Sequence, residues 1–351
     1  MSHWTLYILL LLLILQVSTL KTTKQKQDFN NKVIKKYVEN NYFKPPTIKK
    51  VSALKTTKQK QGFKSKVSAL KPLKQKPGMA HKPLKKKPLK KKASCECGIS
   101  NSNTDRIIGG QPVPRRKYPW LVFVHGRKLS CTGSLISSRH VISAAHCVHT
   151  GTKWMSRKGW KVTIGDHNLN EATDNINGET KTVSAKVIRH PKYNPKNADH
   201  DIILLKLKKP LKLKKFNVVR PICLPSSSYK NYINVDAICA GWGDTSAIQT
   251  TLTEVPHEIT LKTENDQCRG YPVTQNMICT KALWKKKTPY LGDSGGPLMV
   301  NENGRYVQIG VVSHGQTEKD VKGNKAVAVF TKVTQVLPWI KNKIKKDVIC
   351  K

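Results

Sequence analysis

Apolar and polar positions change their spacing twice along this chain of 351 residues. Near the start, Leu6 to Leu15 form an apolar run too short to span a bilayer comfortably. Val17, Ser18 and Thr19 follow it, so residues 1–19 are expected to be a secretory signal peptide, with an uncleaved anchor as the alternative. From 20 to 94 apolar residues thin out and no period survives. After Cys95 short β-branched and aromatic stretches recur: Pro119 to His125, Val141 to Ala145, Trp160 to Ile164, Ile202 to Leu207, Ile238 to Trp242 and Gln308 to Ser313. Gly, Asn, Pro and Asp separate them, which predicts an all-β domain of many short strands. Val333 to Lys346 switches to helical spacing, with Val336, Trp339, Ile340 and Ile344 on one side.

Composition explains the middle stretch. Ser18 to Gln27 recurs as Ser52 to Gln61 and again, altered, as Ser68 to Pro77, before decaying into Lys-Pro-Leu-Lys-Lys units. The uneven spacing and scarce apolar surface argue against a solenoid, because little burial is available to offset the entropy of ordering. Residues 20–94 are expected to be a disordered Lys-rich arm, with a bare solvated spacer as the competing reading. The arm holds 24 lysines against Asp28 and Glu39, a balance of +22, within a whole-chain charge of +43. Residues 107–351 carry 39 basic and 17 acidic side chains, also +22. Polyanionic glycans or anionic membranes are the partners such a field attracts; no nucleic-acid motif accompanies it.

Three motifs carry chemistry. Gly292-Asp293-Ser294-Gly295-Gly296-Pro297 places a serine where a permissive glycine lets the amides of Gly292 and Ser294 converge on one point, as an oxyanion hole requires. Ser143-Ala144-Ala145-His146-Cys147 supplies a base, and Asp201 heads the apolar run Ile202 to Leu205. A serine hydroxyl is a poor nucleophile until a base takes its proton, and that base needs an acceptor to hold its tautomer. Asp199 lies two residues before Asp201 and on an extended chain would share its face, so the residues alone leave both open. His149, His190 and His200 fit no comparable motif and are expected at the surface.

With His146, Asp201 and Ser294 in that order, the chain from Ile107 nearly to its end resembles the chymotrypsin/trypsin family of serine endopeptidases. The family pattern, an Asp heading an apolar strand, implies Asp201 rather than Asp199. The resemblance implies two packed six-stranded antiparallel β-barrels with a C-terminal helix, and a triad in the cleft between them. It implies protein or peptide substrates and no cofactor. Arg106-Ile107-Ile108-Gly109-Gly110 looks like the family's zymogen cleavage site. The freed amine of Ile107 would then pair with Asp293, after a cut made by another, trypsin-like protease. Residues 95–106 are thus an activation linker and 107–351 the protease domain.

The family also implies bridges Cys131–Cys147 and Cys268–Cys279, and a bond from Cys223 to Cys95 or Cys97. Cys239, whose usual partner position is Val300, Cys350 and one of Cys95 and Cys97 stay unassigned, and one of the nine cysteines must be free or intermolecular. Carried over by motif, the substrate pocket is Thr288 at its base with Ser313, Gly315 and Ala328 around it. Without aspartate at 288, an apolar P1 residue of medium size is expected rather than Arg or Lys. His314 stands where the family usually has tryptophan. Asp166, Asn168 and Glu179 loosely resemble a calcium loop, but acidic loops are mostly solvated, and no metal is expected. The Cys-x-Cys-Gly before the activation site is similar to secreted arthropod venom and haemolymph proteases. The alternative to an enzyme is an inactive homologue that binds polyanions or membranes, motivated by His314 and by two absent family bridges. Tyr290 stands where the family has a cysteine, with no partner cysteine from Gly315 to Ala328, and Cys239 lacks its usual partner.

Overall fold

The computed structural model describes residues 96–101, 110–126, 129–170, 180–213, 218–244, 252–264, 268, 272–283, 288–315 and 327–344. The signal segment, the arm, Cys95, Arg106, Ile107, Glu179 and Cys350 lie outside them.

Thirteen strands and one helix follow in order among the described residues: β1 (Gln111–Pro112), β2 (Leu121–His125), β3 (Ser130–Leu135), β4 (His140–Ser143), β5 (Trp160–Ile164), β6 (Lys181–Arg189), β7 (Ile203–Leu207), β8 (Asp236–Gly241), β9 (His257–Glu264), β10 (Met277–Ala282), β11 (Pro297–Glu302), β12 (Arg305–Gly315), β13 (Val327–Lys332) and α1 (Val333–Ile344). Strands β2-β3-β4-β7-β6-β5 close one antiparallel barrel. The second closes because β8 pairs with both β9 and β11, completing β8-β9-β10-β13-β12-β11, with β1 added beside β9. Closure leaves no open edge for aggregation.

The alternation that closes each barrel is visible in β6, where Val183, Ala185 and Val187 face inward and Thr182, Ser184 and Lys186 face water. One core runs from barrel one through Trp242, Met299 and Val311 to Val336, Ile340 and Ile344 of α1. Trp339, partly buried, packs against this core and meets His190 edge-on. Barrel two has its own core around Leu261, Leu298, Ile309 and Phe330.

Polar bonds pin the barrels together. Lys117 and Glu258, both nearly fully buried, pair at 2.9 Å, and Tyr118 donates its hydroxyl to the same carboxylate. A buried pair like this is costly to break from one side, because the remaining charge is stranded. Ser134 on β3 donates to Gln308 on β12 at 2.6 Å.

Behind the barrels, Cys97 is bonded to Cys223 across 126 residues of sequence. Gly98 and Asn101 add backbone bonds to Pro221, Tyr306 and Lys117. The segment before the domain is therefore fastened to its body.

Candidate active site

His146 opens a single 3-10 turn, His146–Val148, immediately after β4. Two links hold that turn: the Cys131–Cys147 disulfide to β3, and the Ser143 hydroxyl on the Thr132 carbonyl at 2.9 Å. Asp201, fully buried just before β7, accepts the His146 amide on Oδ1 at 2.9 Å and faces Nδ1 with Oδ2 at 2.7 Å. Both bonds fix the imidazole's orientation, and the second fixes its tautomer with a proton on Nδ1.

Barrel two reaches the same carboxylate. β12 steps register between Val312 and His314 against β13, leaving Ser313 as the extra residue of a bulge. A bulge re-aims a side chain. Ser313 donates to Asp201 Oδ2 at 2.6 Å, and Thr331 donates to the Asp201 carbonyl at 2.8 Å. Burial alone would raise the Asp201 pKa, but the charge and hydrogen bonds of His146, with that of Ser313, hold it below the ordinary value. Burial pulls His146 down, and Asp201 more than reverses this, leaving its pKa raised.

Ser313, one of the expected pocket positions, turns its hydroxyl to Asp201. Its oxygen also meets His314 Nδ1 at 3.0 Å. An ionised Asp201 only accepts, so the Ser313 proton points there and the neutral His314 must donate from Nδ1. Burial, opposed by Asp201 and reinforced by His146, lowers the His314 pKa to about 4. Of the remaining pocket positions, Gly315 and Ala328 pair directly across β12 and β13, Ala328 is buried, and Thr288 is half-buried.

The Ser294 loop is shaped by backbone bonds. Its carbonyl accepts from Thr132 N at 3.0 Å, and Gly295 and Gly296 bond to Val312 and Asp293. Gly292 has φ +102°, a conformation that L side chains rarely adopt. The amides of Gly292 and Ser294 have no acceptor among the described residues, and the Ser294 hydroxyl makes no hydrogen bond to His146. Such contacts commonly tighten only with substrate bound.

Asp293 turns inward: Oδ1 accepts the Gly243 amide at 2.9 Å and Oδ2 the Tyr290 amide at 3.0 Å. Burial raises its pKa to about 6; the two amides oppose this and Asp244 adds to it. A side chain at Gly241 or Gly243 would run into this carboxylate. Sequence reasoning missed both glycines, and the Gly-Trp-Gly spacing was the available signal.

Asp199 and Asp201 do not share a face. His200 between them has φ +53°, which breaks the extended geometry. Asp199 takes Thr274 at 2.7 Å and Asn276 at 3.0 Å from barrel two. His190 is buried rather than superficial, stacked on His200 at 4.6 Å, while His149 packs edge-on to Trp154 and Tyr193. Cys268 and Cys279 are bonded, and Cys239 is a buried free thiol paired in register with Leu298. Asn168 caps its own turn through Asn170 N at 3.0 Å. The metal-type cluster Cys131, His146 and Cys147 has both sulfurs committed to a disulfide.

The family model described as Trypsin matches residues 107–340. The chain belongs to the trypsin family. It is a serine endopeptidase of that family, and its relatives include arthropod proteases. It is 37% identical over 257 residues to "Serine protease SSP1" of Scolopendra subspinipes, covering 71% of this chain and 87% of that one. To "Proclotting enzyme" of Tachypleus tridentatus it is 33% identical, covering 70% and 68%. To "Venom serine protease Bi-VSP" of Bombus ignitus it is also 33% identical, covering 69% of each.

Proposed function

We propose that this trypsin-family endopeptidase works through Ser294, His146 and Asp201, as a secreted zymogen activated by a cut after Arg106. The observation that carries the reading is the Asp201–His146 pair at 2.7 Å beside the Ser294 loop. His146, its Nδ1 proton held by Asp201, takes the Ser294 proton on Nε2. Ser294 then attacks the scissile carbonyl, and the amides of Gly292 and Ser294 receive the negative charge on its oxygen. The imidazolium is stabilised by Asp201 and gives its proton to the leaving amine. Water, deprotonated by His146, hydrolyses the acyl-enzyme.

The activation step follows from Asp293. Among the described residues its carboxylate accepts from two amides, and its pKa is raised. The new ammonium of Ile107 is the partner that would lower it. Thr288, Gly315 and Ala328 favour an apolar P1 residue, and a trypsin-like protease is the activator. The Cys97–Cys223 bond would keep residues 20–106 attached after the cut, so the arm tethers the enzyme to polyanionic glycans or anionic membranes.

The test cuts the purified chain at Arg106 and titrates it with a serine-directed phosphonate alongside a peptide library. One label per chain, cleavage after apolar residues, and loss of about 10⁴ to 10⁶ in kcat with Ser294→Ala are expected. Equal behaviour of variant and wild type would instead favour the inactive homologue, and cleavage confined to Arg and Lys would refute the pocket reading.

A further inference from the structure

The outer face of barrel one carries positive charge that the described chain does not neutralise. Residues 153–164, 181–189 and 203–213, which include β5, β6 and β7, contain no Asp or Glu. Lys161 sits opposite Ser184, and Lys186 sits directly opposite Lys206. Lys208 donates its amide to the Ser184 carbonyl at 2.8 Å, and Arg157 accepts from Val187 at 3.1 Å. Lys161, Lys186, Lys206 and Lys208 therefore cluster around Ser184, and Arg157, three residues before β5, adds a fifth cation beside Val187. With strands about 4.8 Å apart and alternate residues about 6.8 Å apart, the patch is about 10 Å across.

Like charges facing each other on a sheet are destabilising, so this arrangement acts against the barrel's own stability. Its field is felt locally. His125, opposite Lys161 on β2, has its pKa lowered by burial and by that lysine, and Arg189 is lowered by burial and by Arg157. None of the five cations is in an ion pair among the described residues.

The chemistry of the missing partner follows from what the face lacks. The exposed large apolar side chains of the described chain, Leu129, Tyr229, Ile233, Leu252 and Leu283, all lie off these strands. A docked peptide would want an apolar or aromatic anchor, a membrane surface an inserted one, and a single nucleic-acid strand a stacking platform. A hydrophilic, densely charged chain needs none of these.

We propose that the β5–β6–β7 face is an exosite for a linear sulfated polysaccharide, centred on Lys161, Lys186 and Lys206. It is separate from the Lys-rich arm and does not depend on the arm's role or on the triad assignment.

The experiment is amine-reactive footprinting of the full chain with and without a size-defined heparin oligosaccharide. Modification of Lys161, Lys186 and Lys206 should slow, while Lys341 and Lys343, exposed on α1, react as before. The triple variant Lys161→Gln, Lys186→Gln, Lys206→Gln should lower the slope of log affinity against log salt by about 2 to 3, one released counterion for each lost contact. Its Tm should be no lower than the wild type's, since a repulsive pair is removed.

The proposal is overturned if protection is uniform or confined to lysines 21–92. It is equally overturned if phosphatidylserine vesicles protect the three lysines as well as heparin does, since the face is then a membrane site. An unchanged slope in a normally folded triple variant also ends it. Should that variant fail to fold, the footprint of the unaltered chain decides.

Discussion

Two carboxylates with inward-facing oxygens lie near the reacting centre, and their surroundings differ in kind. Asp201 is enclosed by donors from both barrels: two from His146, one from Ser313, and Thr331 on its carbonyl. Asp293 has two backbone amides and no cation among the described residues, with Asp244 adding charge of the wrong sign. One has its pKa held down and the other pushed up to about 6. On the proposed mechanism the base half is already assembled, whereas the oxyanion half would await the ammonium that a cut frees for Asp293. A buried charge is tolerated only when paired, so the unpaired one is the natural place for a switch.

The largest effect that sharpens this contrast comes from Asp201→Asn. It should lower kcat by about 10⁴, the magnitude seen for this substitution in the trypsin-type triad. In the wild type the acid limb of kcat/KM falls as pH drops through a His146 pKa above its ordinary 6.5. In the variant that limb should move to lower pH, because a neutral amide no longer favours the imidazolium. An unmoved limb would break the link between Asp201 and His146.

Asp293→Asn should act later and less severely. Cutting at Arg106 proceeds normally, yet turnover falls by about 10² to 10³, the scale of a lost oxyanion donor. Full activity after the cut would remove Asp293 from the switch.

The smallest effect is thermodynamic and belongs to the uncut chain. A carboxyl whose folded pKa is raised binds its proton more tightly when folded. Its contribution to stability is present below the unfolded value of 3.8 and lost as pH rises through about 6. Uncut wild type should therefore lose stability between pH 4 and 7 relative to uncut Asp293→Asn. The difference in slope is read from denaturant melts; parallel curves would show that the carboxylate is not strained before activation.

Much of the fold was legible. Trp160–Ile164 is a strand with the bounds its pattern predicts, and α1 begins at Val333 as its spacing requires. Other elements were not. β3 reads Ser-Cys-Thr-Gly-Ser-Leu, with no apolar run, yet all but its first residue are buried. Small side chains suffice there because β3 lies where the barrels meet, with Thr132 against the Ser294 loop and Ser134 against Gln308.

The sequence by itself determined the local chemistry: a glycine-flanked serine, a histidine beside a bridging cysteine, an aspartate heading an apolar strand, and the family they mark. These features depend on near neighbours in the chain and can be read there. The packing decided which of two aspartates meets His146, since a positive φ at His200 sends Asp199 toward Thr274 and Asn276. It selected Cys97 as the partner of Cys223, used a bulge to aim the Ser313 hydroxyl at Asp201, and required Gly241 and Gly243 beside Asp293. Each contact joins residues 50 to 126 positions apart or depends on the course of a distant strand. No local pattern encodes such meetings, because they arise only when two barrels close and press their seams together.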